Sequence, residues 1–193
     1  MSVNQIATLR SALVPRTTLL TQAGFILGGT FFLGVMAQIA IPIPGSPIPV
    51  TGQTLAVLLL GTAYGASLGF ATFAFYILMG ILGAPIFASG SHGLARFTGP
   101  TGGYLAGMLL ASAITGALAG RKWDQKILTV IPTMLIGDVI IFTAGLFWLH
   151  HATAQSWSWT FSKGFTPFIL GEAIKIAIAS TALPTVWRFV APK

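Results

Sequence analysis

Apolar residues run along this chain in long blocks; they neither alternate nor fall on a single helical stripe. Between Thr17 and Ala95 there is no Asp, Glu, Lys or Arg. A block of that length holds about three bilayer crossings at ~20 residues each. Hydropathy, punctuated by Gly and Pro, predicts six spans, at about 18–41, 52–64, 66–83, 102–119, 127–150 and 164–189. A loop with Pro42, Pro44, Pro47 and Pro49 follows the first span, and a Gly/Ser-rich segment from Ala84 to Gly99 follows the third. No internal repeat is visible, so residues 1–193 are expected to form one all-α transmembrane domain.

Composition agrees. Of 193 residues, 54% are hydrophobic and 7% charged, against about 25% charged in soluble domains. A net charge of +7 would point to nucleic acid in a soluble protein; here the basic residues sit at span ends and report topology. There are no cysteines, which excludes disulfides and thiolate metal sites. The only asparagine, Asn4, starts no glycosylation sequon. The apolar stretch after Arg16 is too long for a signal-peptide core, with no small-residue cleavage site.

Orientation follows from the Lys/Arg bias. With the N-terminus inside, cytoplasmic segments carry Arg10, Arg16, Arg121, Lys122, Lys126, Arg188 and Lys193, and outer loops only Arg96 and Lys163. Both termini are therefore expected in the cytoplasm, with the protein multi-pass in the cell membrane. The Pro-rich loop and the Ala84–Gly99 loop then face outward. Irregular backbone at membrane depth needs protein or water around it, so these loops are expected to cover an outward-facing pocket; plain solvated connectors are the alternative.

Three acids exist. Asp124, beside Arg121, Lys122 and Lys126, is expected to be solvated. Asp138 and Glu172 lie inside spans, where a charge costs ~2.5–3.5 kcal/mol on insertion scales and calls for a partner or a function. Glu172 and Lys175, three apart, share a helix face with Phe165 and Phe168. That face offers an aromatic wall, an acceptor and a cation, which suits a ligand with a ring, hydrogen-bond donors and an anionic tail. The alternative is an ion pair that only holds the bundle together. Asp138 and Lys175 each lie about 11 residues into their spans, near mid-membrane at ~1.5 Å per residue, so Asp138 is a second possible partner for Lys175, and sequence leaves the choice open. Arg96, in a glycine-bounded loop, is either solvated or a bidentate clamp on a carboxylate.

Gly24 and Gly28 form a GxxxG pair on the first span, suited to docking another membrane helix. His150 and His151 lack the companions a metal site needs, and no metal is expected. There is no GxxxxGK[ST] phosphate loop, no nucleophile elbow, no HExxH and no triad. The chain is not expected to be an enzyme or to hydrolyse ATP itself.

Three stretches carry a family resemblance: Pro47-Ile48-Pro49-Val50-Thr51-Gly52-Gln53-Thr54; Gly83-Ala84-Pro85-Ile86-Phe87 with Gly99-Pro100-Thr101-Gly102-Gly103-Tyr104-Leu105; and Gly171-Glu172-Ala173-Ile174-Lys175. Together they resemble BioY, the biotin-specific substrate-binding (S) component of energy-coupling-factor (ECF) transporters. The resemblance implies a six-helix S-component bundle, biotin as ligand, no cofactor, and a partner module of one membrane coupling subunit and two ATPases that hydrolyse ATP in the cytoplasm. By the same resemblance, Lys175 and Arg96 hold the valerate carboxylate and Glu172 accepts the ureido N–H groups, where the commoner pattern has Asp. An Asn that some members offer to the ureido group has no counterpart here; Gln53, Ser89 or Ser91 would substitute. Tyr76 would pack the bicyclic ring, and Phe165, Phe168 and Tyr104 would line the pocket. Other readings are an S component for thiamine or riboflavin, which lack a carboxylate for Arg96, and a small channel or scaffold with a structural ion pair.

Overall fold

The computed structural model describes residues 8–16 and 18–190. Lys193 and both chain ends, which entered the topology reading, lie outside the described residues. The chain is mostly helical. A short α1 (Leu9–Leu13) precedes α2 (Leu19–Gln38), and a two-residue hairpin, β1 (Ala40–Ile41) and β2 (Val50–Thr51), leads into α3 (Gln53–Tyr64) and α4 (Ala66–Ile81). After a 3-10 turn at Ala88–Gly90 come α5 (Leu94–Thr98), α6 (Gly102–Ala119), α7 (Ile127–Thr153), α8 (Trp157–Gly164), a second 3-10 turn at Thr166–Phe168, and α9 (Ile169–Val190).

Four of the expected spans are long and apolar enough to cross a membrane: Leu19–Gln38, Gly102–Ala119, Ile127–Thr153 and the composite Trp157–Val190. The second and third expected spans, α3 and α4, have 12 and 16 residues. At ~1.5 Å per residue each is shorter than the ~30 Å hydrocarbon core. The break between them is at Gly65, whose φ of +86° suits a residue without Cβ. The sixth expected span, 164–189, begins where α8 stops, at Gly164; its first residues form a turn containing Pro167 and the helix proper starts at Ile169.

Leu19, Leu20, Phe31, Leu128 and Leu170 are mostly exposed, as suits a surface solvated by lipid. The interior is held by close backbone approach. A Cβ at Gly61 would meet the Ser112 carbonyl oxygen at 2.5 Å, and one at Gly103 the Ala144 oxygen at 2.5 Å. These contacts bring α3 against α6, and α6 against α7, the most extensive helix pair. Buried Thr62, Thr115 and Thr133 donate to carbonyls of their own helices at 2.8–2.9 Å, so their hydroxyls need no water.

Candidate functional site

The hairpin, the start of α3 and the first turns of α9 meet around one charged cluster. Register fixes it: Ala40 pairs with Thr51 and Ile41 with Val50, and the Gly52 amide donates to the Ile39 carbonyl at 3.0 Å. This sets Thr51 and Thr54 opposite α9. Lys175 Nζ donates to Glu172 Oε1 at 2.8 Å, to Thr54 Oγ1 at 2.8 Å and to the Thr51 carbonyl at 2.7 Å. The Thr54 hydroxyl lies 3.0 Å from both Glu172 oxygens. Glu172 thus sits beside the first turn of α3, whose N-terminal dipole favours a negative charge.

Asp138, 7% exposed, lines a small cavity with Glu172, Lys175 and Leu58. Its Oδ1 has no hydrogen-bond partner among the described residues. Of the two pairings open in sequence, Lys175 takes Glu172.

The neighbouring pocket is walled by Ile48 and Pro49 of the Pro-rich loop, by Phe87, Ala88, Ser91 and Arg96 of the segment after α4, and by Thr101, Tyr104, Leu105 and Met108 of the α6 region. Phe142, Phe168, Thr51, Gln53, Thr54 and Glu172 complete it. It is narrow, about 50 Å³, room for a few waters. Tyr104 donates to the Gly164 carbonyl at 2.8 Å and stacks with Phe168 at 6.4 Å between ring centroids. Arg96 Nε donates to Ser91 Oγ at 3.0 Å; no carboxylate pairs with Arg96 among the described residues.

Most residues expected at the site converge on this pocket: Glu172, Arg96, Gln53, Phe168 and Tyr104 all line it. Four do not. Lys175 stands behind Glu172, where its three acceptors hold it. Tyr76 is fully buried behind the wall; it donates to the Ile86 carbonyl at 2.8 Å and accepts from Gln53 Nε2 at 2.9 Å, while its ring packs on Phe87. Ser89 gives way to Ser91 as the lining serine. Phe165 lies in an apolar groove between α7 and α9 with Leu135, Val139 and Ile169. Thr54 and Phe142 were missed: Thr54 is one more threonine at a helix start and Phe142 one more apolar residue in a span.

The segment after α4 is tied to its surroundings. Gln38, at the end of α2, donates to the Phe87 carbonyl at 3.2 Å and accepts from the Gly90 amide at 2.8 Å. The Pro-rich loop is tied to α8, with Ser46 donating to the Lys163 carbonyl at 3.0 Å and Lys163 Nζ to the Pro44 carbonyl at 3.0 Å. Gly24 and Gly28 lie on an open face of α2, with nothing within 4 Å of either Cβ position.

Asp124 corrects an expectation. It is fully buried, and its Oδ2 accepts from Trp187 Nε1 at 2.6 Å, because the last turns of α9 fold over the α6–α7 connector. Burial pushes its carboxyl from 3.8 up to about 6, against the opposing pull of the Trp187 hydrogen bond.

Comparison with known proteins places this arrangement. The biotin transporter BioY2 of Lactococcus lactis subsp. cremoris is 36% identical over 155 residues, covering 79% of this chain and 82% of its own length. The probable biotin transporter BioY of Pyrococcus horikoshii is 37% identical over 145 residues, covering 75% and 83%. The biotin transporter BioY of Thermotoga maritima is 32% identical over 158 residues, covering 80% and 90%. The fold is similar to the crystal structure at 2.1 Å of the S-component for biotin from an ECF-type ABC transporter, with a TM-score of 0.79, 20% identity, and 90% of this chain and 95% of that one covered. The BioY family pattern matches residues 8–192, so the three sequence stretches, the helical frame and the charged corner on α9 share one explanation: this chain belongs to the BioY family.

Proposed function

We propose that this chain captures biotin in the membrane for uptake, as the substrate-binding subunit of an ECF-type transporter. The observation that carries the reading is one pocket lined by a carboxylate, Glu172, and a cation with no carboxylate partner among the described residues, Arg96, with aromatic and aliphatic walls between them. A cyclic urea offers two N–H donors, which Glu172 accepts, while Thr54 and Gln53 supply further polar contacts. Arg96 takes the valerate carboxylate bidentately. Lys175 acts one step back, holding the Glu172 carboxylate in place through its hydrogen bond. Buried ureido groups left unpaired would cost about 1–3 kcal/mol each, so a matched site discriminates strongly.

The wider assembly follows from the same reading. The chain is one domain with six crossings: α3 and α4 are completed by their flanking segments, and α8 with α9 forms the last. Both termini face the cytoplasm. The Pro-rich loop and the Ala84–Gly99 segment cover the pocket and part to admit a bicyclic ring, which a 50 Å³ space does not accept as it stands. Partners are a membrane coupling subunit and two ATPases, the coupling subunit docking on the Gly24 and Gly28 face of α2.

The test is biotin binding to the purified chain in detergent, with Glu172→Gln and Arg96→Ala in parallel. Saturable one-site binding, weakened in both variants, supports the reading. Folded wild-type protein that binds thiamine or riboflavin in place of biotin, or no vitamin at all, overturns it.

A further inference from the structure

At the far end of the bundle from the biotin pocket, α1 closes one side of a second cavity. Leu9 is buried and pins α1 against α3 and α9. Thr8 and Ser11 cap the helix reciprocally, so their hydroxyls are engaged. Arg10 therefore projects from a fixed helix, and its Nε is buried with no hydrogen-bond partner among the described residues. It lines an open cavity of about 490 Å³ shared with Gln22, Ile26, Tyr64, Ser67 and Leu68.

No carboxylate side chain is available to Arg10. The chain has three acids. Glu172 pairs with Lys175, Asp124 accepts from Trp187, and Asp138 lines the cavity beside Glu172. The undescribed residues contain no Asp or Glu. An arginine fork so placed calls for an oxyanion from outside the protein.

The surroundings narrow the choice. Gln22, Tyr64 and Ser67 bring polar side chains to the same cavity, and α4 starts beside it at Gly65 without a side-chain cap. Ile26 and Ala71 give the cavity an apolar flank. This end of the bundle also collects the basic residues. The α6 end adjoins the α3–α4 turn, with Gly116 against Gly65 and Ala66, and α9 meets the α6–α7 connector through Trp187 and Asp124. Arg10, Arg16, Arg121, Lys122, Lys126 and Arg188 are therefore set against Asp124 alone. A surface of that sign, at a helix-end level of the bundle, meets anionic headgroups.

We propose that this cavity seats the phosphate of an anionic membrane phospholipid, with Arg10 forking the phosphate, Ser67 and Gln22 beside it, and an acyl chain along Ile26 and Ala71. Free phosphate shares the headgroup chemistry but has no use for the apolar flank.

Native mass spectrometry of the full chain released from detergent tests this. Phosphatidylglycerol, a diacylglycerol with the same acyl chains, and sodium phosphate are titrated separately. A phosphatidylglycerol adduct weakened about tenfold or more by Arg10→Gln, as loss of a charge-assisted hydrogen bond implies, supports the site. Ser67→Glu, a change at an exposed residue, places a negative charge in the cavity and is expected to weaken the adduct similarly with the fold intact. Equal phosphatidylglycerol binding by wild type and both variants, or equal binding of diacylglycerol, overturns the proposal. Arg10-dependent binding of sodium phosphate with no phosphatidylglycerol adduct overturns the lipid as occupant of the site.

Discussion

The hydroxyl of Thr54 lies 3.0 Å from each carboxylate oxygen of Glu172, although 118 residues separate them. Lys175 closes the triangle, 2.8 Å from both. The three side chains form one neutralised unit that ties α3 to α9. Thr54→Val removes the hydroxyl while nearly keeping the shape. We expect biotin affinity to fall roughly tenfold, within the ~1–3 kcal/mol of a buried group left unsatisfied, as read by calorimetry. Unchanged affinity would show that the hydroxyl does not position Glu172.

Lys175→Met leaves Glu172 buried without its cation. Breaking a buried pair costs about 3–5 kcal/mol, so melting temperature in detergent should drop clearly. Glu172→Gln combined with Lys175→Met removes both charges and should recover much of that loss, while biotin binding stays poor. A double variant that binds biotin like wild type would reduce the pair to a structural brace.

Arg96→Ala should weaken biotin by roughly tenfold to a hundredfold, the range of a charge-assisted hydrogen bond of ~1.5–3 kcal/mol. Biotin methyl ester, which has no carboxylate charge, should bind wild type and variant about equally. An ester penalised as heavily as the acid by this substitution would place Arg96 elsewhere than at the carboxylate.

Asp124 gives the chain a pH dependence. Its folded value of about 6 lies above its ordinary 3.8, so the folded state holds the proton more tightly than the unfolded state. The resulting stability is fully present below about pH 4 and is lost as pH rises through about 6, a difference of roughly 3 kcal/mol. Melting temperature should fall between about pH 4 and pH 6 and level off above, and Asp124→Asn should flatten that part of the curve. An unaltered slope in the Asn variant would assign the dependence to another group.

The helical frame was legible where breakers are sharp. The fourth expected span and α6 coincide at residues 102–119, and Gly65 separates α3 from α4 where the pattern placed the boundary. The fifth helix runs on to Thr153 because His150 and His151 continue it. The separate α8 was overlooked, although Ser156, whose side chain accepts from the Trp159 amide, is a readable helix start. Within the site, Glu172 and Gln53 came from motif-bearing stretches, and Arg96 stood out as a charge in a glycine-bounded outer loop. What escaped were distances between helices: Thr54 to Glu172, Tyr76 to Ile86 and Gln53, Trp187 to Asp124. Periodicity places a residue on a face of its own helix and says nothing of which distant group that face meets. Asp124 misled for that reason, since its basic neighbours in sequence suggested water and its neighbour in space is an indole.

Gln38 occupies the last position of the helix that bears the open Gly24 and Gly28 face, and its amide grips the chain at Phe87 and Gly90. Phe87 is itself a wall of the pocket proposed to take the ligand. A helix fastened in this way behaves as a lever arm. A slide or tilt of α2 is passed to the backbone beside the pocket wall by Gln38, together with the packing of Gly34 on Ile86. If the proposed partner docks on that face, its pull on α2 and the shape of the pocket wall are coupled through the backbone that Gln38 holds.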